Sequence, residues 1–164
     1  MEQSFVETGR GRWEQIASRP SQEQIDRFDE AMTLARQVRQ NAHAPYSRFQ
    51  VGAAVLMDGE WFVGCNVENA SYGATICAER NAIAAGIAAG KKTIELIAIT
   101  TGADPGVPMG NRSPCGMCRQ VISEFSGEGT IVLLDGGMSD DFDFTGEAIS
   151  FEQLLPWQFE LEKN

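Results

Sequence analysis

Nowhere does the chain carry about 18 uninterrupted apolar residues, the length a membrane-crossing helix needs, and residues 1–12 hold no apolar stretch of the secretory kind. Membrane spanning and secretion are thus disfavoured, and a cytoplasmic location is the expectation. Positive charge is scarce as well: 13 Lys and Arg stand against 23 Asp and Glu, a net charge of -10. Such a balance repels phosphate backbones and anionic membrane surfaces, so neither nucleic acid nor membrane is an expected partner. Histidine is limited to His43, in a Pro-flanked segment far from the cysteines, where a turn or surface role is expected. There are four cysteines. In a reducing compartment a Cys-x-x-Cys pair points to metal binding or redox chemistry before disulfides. Internal repeats and low-complexity segments are absent.

What is present suits one compact domain, since 164 residues at 43% hydrophobic content can bury an ordinary core. Residues 1–20 lack sustained periodicity and contain Gly9, Gly11 and Pro20, so they read as a flexible extension to a domain over 21–164. Ser21 and Gln24 form a candidate capping box. Ile25, Phe28, Met32, Ala35 and Val38 then recur at helical spacing, predicting a helix over 22–41. Apolar runs over 49–57 and 61–67, separated by Asp58-Gly59, predict a β-hairpin. An Ala-rich helix is expected over 76–89, ended by Gly90, followed by a strand over 94–100. Pro114 is placed for the first turn of a helix carrying Val121, Ile122 and Phe125 up to Gly127. Strands are expected over 131–134 and between 142 and 149, with a helical turn over 151–155. The order α-β-β-α-β-α-β-β-α predicts a three-layer α/β/α sandwich around a five-stranded mixed sheet.

The chemistry concentrates in Cys77-Ala78-Glu79 and, 35 residues beyond the last of these, Pro114-Cys115-Gly116-Met117-Cys118. A structural zinc site closes its tetrahedron with four protein ligands, whereas a catalytic one keeps three and leaves a position for water. Cys115 and Cys118, three apart on a helix, share a face, and Cys77 adds a third thiolate from another helix start. Both helix starts carry partial positive charge, which eases the gathering of anionic sulfurs around a cation. Zinc supplies a hydroxide at neutral pH, and Glu79, two residues from Cys77, is placed to shuttle the proton. Two other readings compete. Cys65 could close an all-cysteine structural site, although its position after Gly64 in a strand favours a buried, unligated thiol. A thioredoxin-like redox pair would not explain the third cysteine and the glutamate.

Several blocks then stand together: 44–47 (Ala-Pro-Tyr-Ser), 49–54 (Phe-Gln-Val-Gly-Ala-Ala), 66–73 (Asn-Val-Glu-Asn-Ala-Ser-Tyr-Gly), 76–80 (Ile-Cys-Ala-Glu-Arg) and 113–120 (Ser-Pro-Cys-Gly-Met-Cys-Arg-Gln). In these blocks the sequence resembles the small homotetrameric class of the cytidine deaminase family, whose zinc variant has three cysteine ligands and a non-ligand glutamate. The resemblance implies hydrolytic deamination of cytidine and deoxycytidine to uridine and deoxyuridine, with release of ammonia, in pyrimidine salvage. It implies one zinc ion per subunit on Cys77, Cys115 and Cys118, with Glu79 catalytic. Asn66 and Glu68 would hold the ribose, Phe49 would stack near the pyrimidine, and Ala78 would contact the base edge. Tyr72 and Phe159 would build sites across subunit boundaries of a homotetramer. Taken alone, Phe49 reads as strand core, and Asn66 and Glu68 as polar residues at a strand end.

Three thiolates outweigh the charge of zinc, so Arg80 is expected to donate hydrogen bonds to sulfur and withdraw charge, against the plainer reading of a solvated helix arginine. Three departures from the family pattern stand out: residues 1–20, a longer stretch over 102–111, and Met117 at a position commonly held by Ala. Blasticidin-type deaminases share the cysteine motifs but diverge in the 66–73 block. A polynucleotide deaminase fits poorly with the acidic charge and the His-x-Glu form of that motif. A catalytically silent zinc-stabilised assembly protein would have no use for Glu79.

Overall fold

The computed structural model describes residues 4–7, 11–15, 22–102, 107–138 and 144–161. Helix α1, Gln22–Arg39, is built on Phe28, Ala31, Met32 and Ala35, a buried stripe at the spacing of one helix face. It ends two residues before the expected 41, where Asn41 and Ala42 donate back to the Val38 and Arg39 carbonyls in a turn. The Ser21 capping box lies outside the described residues.

Strands β3 (Gly52–Met57) and β4 (Glu60–Cys65) pair antiparallel as expected around Asp58 and Gly59. Both turn residues adopt positive φ, 43° and 76°, the conformation a two-residue hairpin demands and the reason for glycine there. The strands are shorter than the sequence pattern indicates. Residues 49–51 stay outside β3 because the Asn66 side chain takes over the pairing that a strand neighbour would supply. Its Nδ2 donates to the Phe49 carbonyl at 2.8 Å and its Oδ1 accepts from the Val51 N–H at 2.8 Å.

Helix α2 (Ala78–Ala88) is followed by Gly90 at φ 85°, then by β5 (Ile94–Thr100), α3 (Gly116–Phe125), β6 (Ser126–Met138), β7 (Phe144–Ser150) and a single helical turn, α4 (Phe151–Leu154). Pro114 precedes the cap of α3 rather than sitting in its first turn, since Cys115 still has extended backbone. β6 begins five residues before the expected 131. It pairs with β5 at Ser126, breaks register, and resumes at Ile131, while the Thr130 hydroxyl bridges the gap by donating to the Ile94 carbonyl at 2.6 Å.

The five strands β3 to β7 form the mixed sheet, in the order β7-β6-β5-β3-β4 with β5 and β6 parallel. Two further strands lie within the segment read as an extension without regular elements: β1 (Ser4–Glu7) and β2 (Gly11–Gln15). β2 joins β7 in parallel and brings the sheet to seven strands. A parallel pairing between segments about 130 residues apart leaves no local periodic signal, because it depends on β7 offering a free edge.

All six residues of β3 are buried, the mark of a sheet covered on both faces. Ala54 and Leu56 face α1, along with Leu96, Ala98 and Leu133. Ala53, Val55 and Met57 face the layer containing α2, α3 and α4, where Ile83, Ile122 and Phe151 are buried. This is the expected three-layer sandwich. Gly64 sets the seating of α2: a Cβ there would lie 2.5 Å from the Ala78 carbonyl and the Ala82 nitrogen, so only glycine lets the helix start approach β4 so closely. Asn81 adds a 2.8 Å hydrogen bond to the Cys65 carbonyl. Among the described residues no helix is long and apolar enough to cross a membrane.

Candidate metal centre and active site

Two helix starts meet at the carboxyl end of β5. Cys77 and Cys115 are the N-cap residues of α2 and α3, each with extended backbone and neither using its side chain to cap the helix. Their thiols are therefore free for another partner, while the uncapped N–H groups lend the spot positive character. Cys118, one turn into α3, is fully buried. The sulfurs of Cys77, Cys115 and Cys118 all lie within 4.8 Å of one another, with Cys77 and Cys115 at 3.9 Å. Cys65 is on β4 outside this group, which removes the closed four-cysteine alternative.

The charge state of the group is lopsided. The Cys77 thiol is lowered to about 5, first by the hydrogen bond from Cys118 and also, against the effect of burial, by the Arg80 guanidinium. The same contact, with burial, pushes Cys118 up. One thiolate is thus already favoured before any metal binds, and a divalent cation would displace the remaining protons. Arg80 Nη2 donates to the Cys77 sulfur at 3.7 Å and to the Thr75 carbonyl at 3.0 Å. That places the partly buried arginine beside the Cys77 sulfur.

Glu79 is 4% exposed, and its Oε2 has no hydrogen-bond partner. Its pKa is raised, first by burial; the charge on Cys77 acts in the same direction, while its own backbone N–H opposes. An orphaned buried carboxylate oxygen beside three clustered thiols is the donor set of a three-ligand zinc site with a proton carrier next to it.

A cavity of about 190 Å³ opens from Cys77, Glu79 and Cys115 toward Phe49, Asn66 and Glu68. The 66–68 segment is held there by a small ladder. His43 pairs with it on one side and Ile76 on the other, through Glu68 N–H to the His43 carbonyl at 2.8 Å and Val67 N–H to the Ile76 carbonyl at 2.9 Å. His43 is itself exposed, as expected. The Glu68 carboxylate accepts from the Tyr46 and Ser47 N–H groups at 2.9 and 3.2 Å and from the Ser47 hydroxyl. Chiefly through that hydroxyl, its pKa is lowered. Phe49 reaches the cavity because it has left the strand, and it is half exposed.

The structure therefore gathers Phe49, Asn66, Glu68, Cys77, Glu79 and Cys115 at one cavity. Ala78 is buried at the first position of α2. Tyr72 and Phe159 do not line it within this chain. They are 80% and 68% exposed, Tyr72 beside Glu68 at an adjoining cleft and Phe159 at the end of the described chain. Sequence reasoning missed Ser47, Thr75, Asn111, Arg112 and Ser113, which also line the cavity. Ser47 and Ser113 sat inside quoted blocks, but nothing local marks a serine as the partner of a carboxylate 21 residues away.

The pattern of the cytidine and deoxycytidylate deaminase zinc-binding region matches residues 26–134, about two thirds of the chain. The chain belongs to this family. The deaminase is 43% identical over 129 residues to a cytidine deaminase of Halalkalibacterium halodurans, covering 78% of this chain and 90% of that protein. A cytidine deaminase of Sporosarcina psychrophila is 39% identical over the same length, at 78% and 88% coverage. The crystal structure of cytidine deaminase from Burkholderia pseudomallei superposes with a TM-score of 0.66 at 39% identity, covering 80% of this chain and 98% of that one. That of Mycobacterium tuberculosis gives 0.65 at 33% identity, with 82% and 98% covered. The sulfur cluster of this zinc-dependent hydrolytic deaminase fits one zinc ion per chain.

Proposed function

We propose that the deaminase converts cytidine and deoxycytidine to uridine and deoxyuridine in pyrimidine salvage. One observation carries the reading: the buried, unpartnered Oε2 of Glu79 sits beside the three thiols, in a cavity whose far wall is Phe49, Asn66 and Glu68. Zinc held by Cys77, Cys115 and Cys118 supplies, when bound, the Lewis acidity that makes water nucleophilic at neutral pH. Glu79 takes one proton from the attacking water and delivers it to the ring nitrogen; it then takes the second proton from the hydroxyl now on the carbon and delivers it to the departing amine. The carbon gains oxygen, its bond to nitrogen breaks, and ammonia leaves. Burial raises the Glu79 pKa above the ordinary carboxyl value, which makes it a stronger proton acceptor than an exposed glutamate.

Phe49 offers the pyrimidine an aromatic face, and the Ala78 backbone meets the base edge. Asn66 and Glu68 take the sugar hydroxyls; Glu68, held ionised by Ser47, is a ready acceptor. A carboxylate at this end repels a 5′-phosphate, which favours a nucleoside over a nucleotide. Arg80 withdraws charge from Cys77. Tyr72 and Phe159, exposed here, complete the sites of neighbouring subunits in a homotetramer. The four free cysteines suit the cytoplasm. The catalytic unit is 21–164, with 1–20 an extension to it.

The test follows the ultraviolet change on deamination, using zinc-loaded protein with cytidine, deoxycytidine and deoxycytidine monophosphate. Turnover of the two nucleosides, with the monophosphate much slower, is the expected result. Zinc-loaded protein that leaves both nucleosides unchanged overturns the reading. Light scattering on the same sample checks the tetramer.

A further inference from the structure

Cys115 follows a stretch with little regular structure of its own: one short helical turn, Met109–Asn111, and then a bend through Arg112 and Ser113. Helix α3 fixes the ligand from behind, where Arg119 donates to the Pro114 carbonyl at 2.9 Å and the Ser113 hydroxyl at 3.1 Å. What fixes it from the front is Arg112. This side chain is 7% exposed and forms a bidentate ion pair with Glu147 of β7, at 2.6 and 2.8 Å. It also donates to the Asp135 carbonyl at 3.0 Å and, through Nε, to the Val107 carbonyl at 2.9 Å. One guanidinium thus ties together two strands, the loop before it and the wall of the cavity.

Asp135 extends the tie to the other end of the same loop. Its carboxylate, 2% exposed, accepts from the Thr100 hydroxyl at 2.5 Å and from Arg36 of α1 at 2.9 and 2.5 Å. The Thr100 hydroxyl in turn accepts from the Gly102 N–H at 3.1 Å. Gly102, at φ 67°, lies against the Arg39 guanidinium so closely that a Cβ would come within 2.2 Å of its Cζ. The segment leaving β5 and the one arriving at Cys115 are therefore both anchored to one buried residue. A bidentate buried pair of this kind fixes orientation as well as distance, and lysine cannot reproduce it.

We infer that Arg112 is a positioning residue: locked onto Glu147 and Asp135, it holds the 111–115 segment so that Cys115 and the adjoining cavity wall keep their place opposite Cys77 and Glu79. The effect on zinc stands without any assumption about substrate; the effect on KM rests on the nucleoside reading given above.

The experiment compares zinc-loaded wild type with Arg112→Lys and Glu147→Gln. Leu56→Val serves as the control, because it weakens the core facing α1, away from the cavity. For each, the rate of zinc release to a chelator, KM and kcat for cytidine, and Tm are measured. Arg112→Lys is expected to release zinc about tenfold faster and to raise KM about tenfold, the scale on which supports around a metal site act. kcat should fall less than KM rises, and Glu147→Gln should shift zinc release the same way by less. If zinc release and KM stay at wild-type values in both variants, or change only as far as Leu56→Val changes them at equal loss of Tm, the positioning role is wrong. Should Arg112→Lys fail to fold, Glu147→Gln alone decides by the same comparison. A protein inactive on cytidine whose variants still release zinc faster would overturn the nucleoside reading and leave the positioning role standing.

Discussion

Arg80 Nη2 lies 3.7 Å from the Cys77 sulfur while the Thr75 carbonyl holds the same nitrogen at 3.0 Å. The second bond keeps the guanidinium from swinging away, so its charge stays on the thiolate. Replacing Arg80 by Gln removes that charge but preserves much of the length. Zinc release to a chelator should quicken and kcat should drop, each by about tenfold, as for other groups that hydrogen-bond a metal ligand. Unchanged release and turnover would show that the contact has no influence on the metal.

Glu79→Gln tests the proton carrier. Its amide keeps the volume and cannot shuttle a proton, so zinc content by metal analysis and far-ultraviolet circular dichroism should match wild type. Deamination should fall by about a thousandfold, within the range for loss of general acid–base catalysis. A variant retaining a tenth of wild-type turnover would remove Glu79 from the role given to it.

The raised pKa of Glu79 also has a signature in stability. In zinc-free protein the folded state holds the proton to a higher pH than the unfolded chain does, because burial disfavours the carboxylate. Below the ordinary value of 4.5 both states are protonated and the contribution is complete. As pH rises, the unfolded chain ionises first, and wild type should lose stability relative to Glu79→Gln until the folded pKa is passed. Denaturant midpoints of the two proteins across this range should diverge with that sign; parallel curves would contradict a raised pKa.

Asn66 carries two loads, one structural. Truncation to Ala strips partners from the Phe49 carbonyl and the Val51 N–H, at a cost of about 2 kcal/mol for groups left unsatisfied. Urea unfolding should show that loss, and KM for cytidine should rise because Phe49 is no longer held. Stability lost without any rise in KM would separate Asn66 from substrate binding.

The zinc cluster was the most legible part of the molecule. Cys77, Glu79, Cys115 and Cys118 lie within two short segments, each at a helix start, so both chemistry and local geometry are written in adjacent residues. The β3–β4 hairpin was legible for the same reason, through Asp58 and Gly59. Strand ends were less so. Phe49 and Val51 look like β3, yet Asn66 pairs with them instead, and apolar pattern cannot distinguish a backbone partner from a side chain. β2 went unseen because its pairing with β7 is long-range.

By itself, the sequence determined the reaction type, the two motifs whose three thiols cluster, and the layer architecture, since each rests on residue identity at short spacing or on periodicity that survives without context. Tertiary structure alone decided which polar groups serve as supports. Arg112 meets Glu147, 35 residues on, and Arg36 meets Asp135, 99 residues on, only because the sheet brings β6 and β7 beside the loop and α1 across their face. An arginine or an aspartate carries no local mark of its partner. Burial makes each such pair specific, and burial is a property of the assembled fold.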